Sequence, residues 1–298
     1  MFKRNVFPTV LIMVAAIAVI AIYALQRADI SAKTAAAVVP SSKEELQLPV
    51  PQPEPVLVPG PQAIVNFDID YDYPPIPQTE GTVRIPILAY HHIAPVPAGG
   101  SDLYVSPEVF DQQMAYLKAK NYRTVTPWQY YEILESGKNP TQKTVMLTFG
   151  DGNLDNYTTA FPILQKYGLT GNFYIIAGAL QISAGQLQEM IAAGMTIEGH
   201  SMTHIGLGGI YDQGTLEREI VQSKHDIEAI TGQQIFSFLY PNCTYNDSVI
   251  SKVGGNYAMA LACGAAIDNV FTDRFHLQRI YIYDSLEGFK QRLSGIIK

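Results

Sequence analysis

Charge is scarce in this chain. Asp, Glu, Lys and Arg make up 16% of its 298 residues, against roughly 25% in ordinary soluble domains. Such a deficit marks a chain of which part is a membrane segment or a linker. Basic residues are outnumbered, 20 to 27, so the electrostatic footprint of a nucleic-acid binder is missing and no nucleic-acid partner is expected. Cysteine is nearly absent. Cys243 and Cys263 cannot build a disulfide framework or an all-cysteine zinc site. They read as two separate small core residues, with a disulfide in an oxidising compartment as the alternative. No internal repeat is present, and the composition fits neither a collagen, a coiled coil nor a polytopic membrane protein.

Proline is abundant, and ten of its 19 copies fall between Pro40 and Pro77. Ahead of them, Val6 to Leu25 runs for twenty residues without a charge. As a helix it would rise about 30 Å, the thickness of a bilayer core. Lys3 and Arg4 precede it, which places the N-terminus in the cytoplasm and the rest of the chain outside. The run exceeds a signal-peptide core and no small-residue cleavage site directly follows it, so it reads as a retained single-pass anchor, with a signal peptide cut further on at Ala35-Ala36-Ala37 as the alternative. Residues 26–83 read as an extracytoplasmic linker. Pro49, Pro51, Pro53 and Pro55 alternate in the manner of an extended polyproline chain. The expected organisation is therefore 1–25 cytoplasmic stub and anchor, 26–83 linker, and 84–298 folded domain.

From Arg84 onward, short apolar runs alternate with amphipathic segments. Strands are expected at 85–90, 144–149, 172–177, 195–199, 235–240, 257–262 and 277–283. Between them, Ser106-Pro107, Thr126-Pro127 with Gln129, and Ser183 with Gln186 are helix starts. In 212–231, Leu216, Ile220, Ile227 and Ile230 form a helical apolar stripe. Seven strands alternating with helices over about 215 residues predict an α/β fold, a parallel sheet closed into a TIM-like barrel. In such folds the chemistry sits at the C-terminal strand ends.

At those ends the sequence places His91-His92, then Gly150-Asp151-Gly152, then His200 with His204, then Pro241-Asn242-Cys243. His225 reads as a surface residue and His276 as structural. His200, His204 and Asp151 make a set of two imidazoles and one carboxylate. That set suits one divalent metal, zinc first, with nickel, cobalt or iron fitting the same donors. Alternation along the first strand sends His91 and His92 to opposite faces. Tyr240 and Tyr245 fall near the same rim, as candidate substrate-binding aromatic faces or as ordinary core packing. Asp155, just before Asn156-Tyr157, reads as a helix N-cap.

Thr148-Phe-Gly-Asp-Gly152 with Asn156-Tyr157 resembles the first motif of the NodB-type polysaccharide deacetylases, carbohydrate esterase family 4. Gly199-His-Ser-Met-Thr-His204 resembles their second, and Phe238-Leu-Tyr-Pro241 with Tyr245-Asn246 their third. Pro86-Ile-Leu-Ala-Tyr-His-His-Ile93 is similar to the opening strand of the subgroup that deacetylates poly-N-acetylglucosamine. The resemblance covers about 84–297. It implies a distorted (β/α)7 barrel and metal-dependent hydrolysis of N-acetyl groups on an N-acetylhexosamine polymer, with peptidoglycan and poly-N-acetylglucosamine as the expected partners. It implies Asp151, His200 and His204 as metal ligands, the Asn242 amide as an oxyanion donor, and His91 as the acid that protonates the leaving amine.

The departures from the family pattern bear on activity. Gly150 stands where the family has the Asp that takes a proton from water. Losing a general base typically costs about 10²–10⁴ in rate, so a glycan- or partner-binding pseudoenzyme is the alternative reading. Asn242-Cys243 stands where an aromatic residue and glycine are usual. Glu198, two residues before His200 on a strand, is the candidate replacement base.

Overall fold

The computed structural model describes residues 81–264 and 266–294. The expected anchor and most of the linker lie outside these residues. Among the described residues no helix is long and apolar enough to cross a membrane.

Seven parallel strands close into a barrel. They are β1 (Ile87–Tyr90), β2 (Thr144–Phe149), β3 (Asn172–Ile175), β4 (Thr196–Gly199), β5 (Ser237–Leu239), β6 (Met259–Cys263) and β7 (Leu277–Tyr281). Each pairs with its successor in the chain, and β7 returns to β1, so the ring has no free edge. All seven lie inside the segments expected from the apolar runs, except that β6 runs one residue past its own, and most are shorter by up to three residues. The β4–β5 seam is the thinnest, with Gly199 opposite Phe238 as its one register pair.

The helices expected from capping signals form where those signals stand. The helices around the barrel include α1 (Pro107–Ala119), α2 (Pro127–Ser136), α3 (Phe161–Tyr167), α4 (Ala184–Ala192), α5 (Ser223–Thr231), α6 (Asp247–Gly254) and α7 (Leu286–Leu293), of which α1, α2 and α4 follow the capping signals and α5 lies in the segment of the apolar stripe. Thr126 with Gln129 and Ser183 with Gln186 form complete capping boxes, each satisfying two otherwise orphaned backbone donors. Ser106 precedes α1 without capping it, because its hydroxyl donates to Asp284 Oδ1 at 2.6 Å.

Strand alternation sorts side chains into two apolar layers. Leu88, Tyr90, Leu147, Phe149, Phe173, Ile197, Phe238 and Ala260 face the helices. Ile87, Met146, Tyr174, Leu239, Met259, Leu261 and Leu277 fill the barrel with Tyr130 and Leu134 of α2 and Val125 just before it. A short antiparallel pair, Thr82–Arg84 with Asp268–Val270, adds Val83 to this inner layer. The inward parity of β1, β2, β4 and β7 is also that of His91, Gly150, His200 and Tyr281 at the strand ends. That parity is what brings the candidate site together.

Candidate functional site

Asp151 follows β2 in a left-handed conformation, φ 73°. Its Oδ1 lies 3.2 Å from His200 Nε2 and 3.3 Å from His204 Nε2. The three candidate ligand atoms lie within 4.8 Å of one another. His200 and His204 meet across a tight turn in which Ser201 and His204 have φ 66° and 62°. The His204 N–H donates to Ser201 Oγ at 3.0 Å. Glu219, buried before α5, braces the turn by accepting from the Thr203 N–H and hydroxyl, both at 2.8 Å. Left-handed φ costs a non-glycine residue on the order of 1–3 kcal/mol and persists where the surroundings enforce it. Six described non-glycine residues have positive φ, and five of them, Asp151, Ser201, His204, Asn242 and Cys243, sit here.

The donor set fits a divalent metal. The buried His200 ring donates Nδ1–H to the Leu239 carbonyl at 2.7 Å, which fixes the tautomer and leaves the Nε2 lone pair facing Asp151. Burial keeps this imidazole below its usual pKa, and therefore neutral. Burial works to raise the Asp151 carboxyl. The neighbouring imidazoles of His200 and then His204 outweigh it and hold the group well below the carboxylate range.

His91 reaches the same chamber. Its ring stacks on Tyr281 with centroids 5.5 Å apart, and Asn156 Nδ2 holds its carbonyl at 2.7 Å. Burial first, then the Arg279 guanidinium, push its pKa down to about 3. A Cβ built on Gly150 would meet His91 Cδ2 at 2.9 Å and Nε2 at 3.1 Å. The imidazole thus fills space that an aspartate at 150 would need. Arg279 lies buried beneath it, with Nε donating to Thr148 Oγ1 at 2.8 Å and Nη2 without a hydrogen-bond partner.

Four expectations change on this geometry. Glu198 is buried in the barrel, where Oε2 accepts from the Phe236 N–H, the Ser237 N–H and the Ser237 hydroxyl at 3.0, 2.7 and 3.1 Å. It ties β4 to β5 along their thin seam and is not among the three clustered ligands. Tyr240 is 1% exposed and faces the helices with Phe238, so it presents no face to a sugar. Tyr245 is half-buried against Tyr240 and His276. Asp155 caps nothing with its side chain. It grips His92 Nδ1 at 2.7 Å and the Ile93 N–H at 2.9 Å, with His92 stacked on Tyr104. Finally, Cys243 and Cys263 form a disulfide, where two separate thiols had been the first reading. His225 is exposed, and His276 pairs with Asp273 at 2.5 Å, as expected of residues outside the site. Sequence reading missed Glu219, Arg279 and Tyr281. Only the inward strand parity of Arg279 and Tyr281 pointed to them.

A parallel (β/α)7 barrel carrying two histidines and an aspartate at its C-terminal rim defines the class. Residues 137–257 match the polysaccharide deacetylase family. YxkH of Bacillus subtilis, assigned to the same family, is 30% identical over 218 residues, which are 71% of this chain and 76% of that protein. The poly-β-1,6-N-acetyl-D-glucosamine N-deacetylase of Staphylococcus aureus is 24% identical over 212 residues, 64% of this chain and 72% of that enzyme. The structure of the Streptococcus pyogenes deacetylase PplD in complex with acetate superposes with a TM-score of 0.66 at 28% identity, covering 70% of this chain and 97% of that one. The chain belongs to the polysaccharide deacetylase family. Its class is that of hydrolases acting on amide carbon–nitrogen bonds.

Proposed function

We propose that this chain is a metal-dependent N-deacetylase of an N-acetylglucosamine polymer of the cell envelope. The observation that carries the reading is the convergence of Asp151, His200 and His204, with the His200 tautomer already set by Leu239. A divalent metal held by these three would acidify a water and polarise the acetyl carbonyl. Zinc is the first choice for this donor set.

The protein's own residues then divide the proton work. With Gly150 unable to accept a proton, His91 takes the water's proton first and afterwards gives it to the departing amine. Tyr281 and Asn156 hold the ring and backbone of His91 for both transfers. The Asn242 N–H donates to the oxyanion. Poly-N-acetylglucosamine is the favoured polymer, on the likeness to the staphylococcal enzyme, and peptidoglycan is the second. The run Val6–Leu25 would anchor the protein in the membrane, with the domain outside and the proline-rich segment as its tether. Gly150 supports a second reading, a glycan binder that has lost turnover.

Acetate release from β-1,6-linked N-acetylglucosamine oligomers and from peptidoglycan tests the reading, with the native chain and Asp151→Asn side by side. Release by the native chain alone is expected. Equal release by both would refute it, and glycan binding without release by either would favour the second reading.

A further inference from the structure

We propose that the Cys243–Cys263 disulfide is a positioning element of the active site, holding the turn that carries the Asn242 amide and supports the histidine ligands. The inference rests on the functional reading above and extends it. Asn242 and Cys243 are consecutive left-handed residues, φ 51° and 57°. Neither is glycine, so the turn is disfavoured locally and something outside it must hold it. The disulfide does so by joining Cys243 to the last residue of β6, with Cα atoms 5.5 Å apart.

The turn touches both histidines. It begins two residues after Leu239, whose carbonyl orients His200. The Asn242 side chain donates to the His204 carbonyl at 3.4 Å. Beyond it, Thr244 Oγ1 accepts from the Gly208 N–H at 3.3 Å, and Asn246 Nδ2 donates to the Gly208 and Ile210 carbonyls at 3.0 Å each. The loop after β5 is thus laced to the loop that carries His204. On its other side, Cys263 Sγ lies 3.4 Å from the Tyr281 hydroxyl, and Tyr281 is the ring on which His91 stacks. One covalent bond therefore connects the supports of His200, His204 and His91.

Zinc affinity by chelator competition and the visible spectrum of the cobalt-loaded full chain test this directly, together with kcat and KM for acetate release. Outer supports of metal ligands are typically worth 10–100-fold in affinity. Cys243→Ser/Cys263→Ser, or the native chain treated with a phosphine reductant, is expected to bind zinc at least about ten-fold more weakly. The cobalt spectrum should change, and kcat should fall with little change in KM. Cys243→Gly/Cys263→Ala should regain most of each, because glycine adopts the left-handed turn without the crosslink. Unchanged affinity and spectrum after reduction would overturn the proposal. So would a glycine–alanine pair as impaired as the serine pair. If the serine pair fails to fold, the reduced native chain and the glycine–alanine pair decide. If the oxidised zinc-loaded chain releases no acetate, the functional reading fails, while affinity and spectrum still judge the positioning role.

Discussion

Gly150→Ala isolates the role of His91 more cleanly than restoring an aspartate. The new methyl carbon would lie 2.9 Å from His91 Cδ2 and 3.1 Å from Nε2. Ordinary carbon contacts begin near 3.5 Å, so the ring must retreat by roughly half an ångström or more. Its retreat disturbs the stack on Tyr281. Overpacking of this kind costs about 1–3 kcal/mol, which for a domain of this size lowers Tm by roughly 2–12 °C. A misplacement approaching 1 Å costs on the order of 10²-fold in rate. The control is the double-mutant cycle with His91→Ala. Removing the ring opens the space, so Gly150→Ala should then cost almost nothing in Tm, and the coupling should fall within the 0.5–3 kcal/mol seen between touching residues. Calorimetry and acetate release on the four proteins give the answer. Gly150→Ala as stable and active as the native chain, or an equal penalty in both backgrounds, would refute the placement of His91. Gly150→Asp displaces the same ring, so a simple gain of activity is not expected from it.

The remaining expectations concern the metal and the buried acids. Saturating zinc at about 100 times Kd should stabilise the chain by about 2.7 kcal/mol, raising Tm by roughly 5–10 °C. His200→Ala should abolish that shift in a thermal melt, and an unchanged shift would remove His200 from the ligand set. Burial raises Glu198 from 4.5 to about 7, so between those pH values the folded metal-free chain holds a proton that the unfolded chain has lost. Its contribution is full below pH 4.5 and is lost as pH rises to 7, an upper limit of about 3 kcal/mol at about 1.4 kcal/mol per pH unit. Urea unfolding from pH 5 to 8 should show this slope in the native chain and not in Glu198→Gln. Glu219→Ala leaves the Thr203 N–H and hydroxyl without their partner, so it should weaken zinc binding by about 10-fold or more; unchanged affinity in a chelator titration would show that the turn stands without it.

The barrel was legible because its signals are local. Each strand is a short apolar run, and each capping box at Thr126 and Ser183 is read within four residues. His91 and His200 were legible because each directly follows a strand, where parity and position coincide, and Asp151 and His204 because they stand within a few residues of the same strand ends. What stayed hidden depends on contacts distant in sequence. Asp155 looked like a cap until it found His92, 63 residues away. Tyr240 looked like a rim aromatic, but the inward neighbour on its strand is Leu239, so its ring turns to the helices. Glu198 shares its parity with His200, yet the short β4–β5 seam leaves backbone donors at Phe236 and Ser237 that its carboxylate satisfies. The space beside Gly150 could not be judged without knowing that His91 had filled it.

The most direct test of the account is a zinc titration of the metal-free full chain, following acetate release from β-1,6-linked N-acetylglucosamine oligomers. Release is expected to rise with added zinc and to saturate at one metal ion per chain. Acetate release that needs no metal would contradict the account, as would tight binding of one zinc per chain with no release from any N-acetylglucosamine polymer.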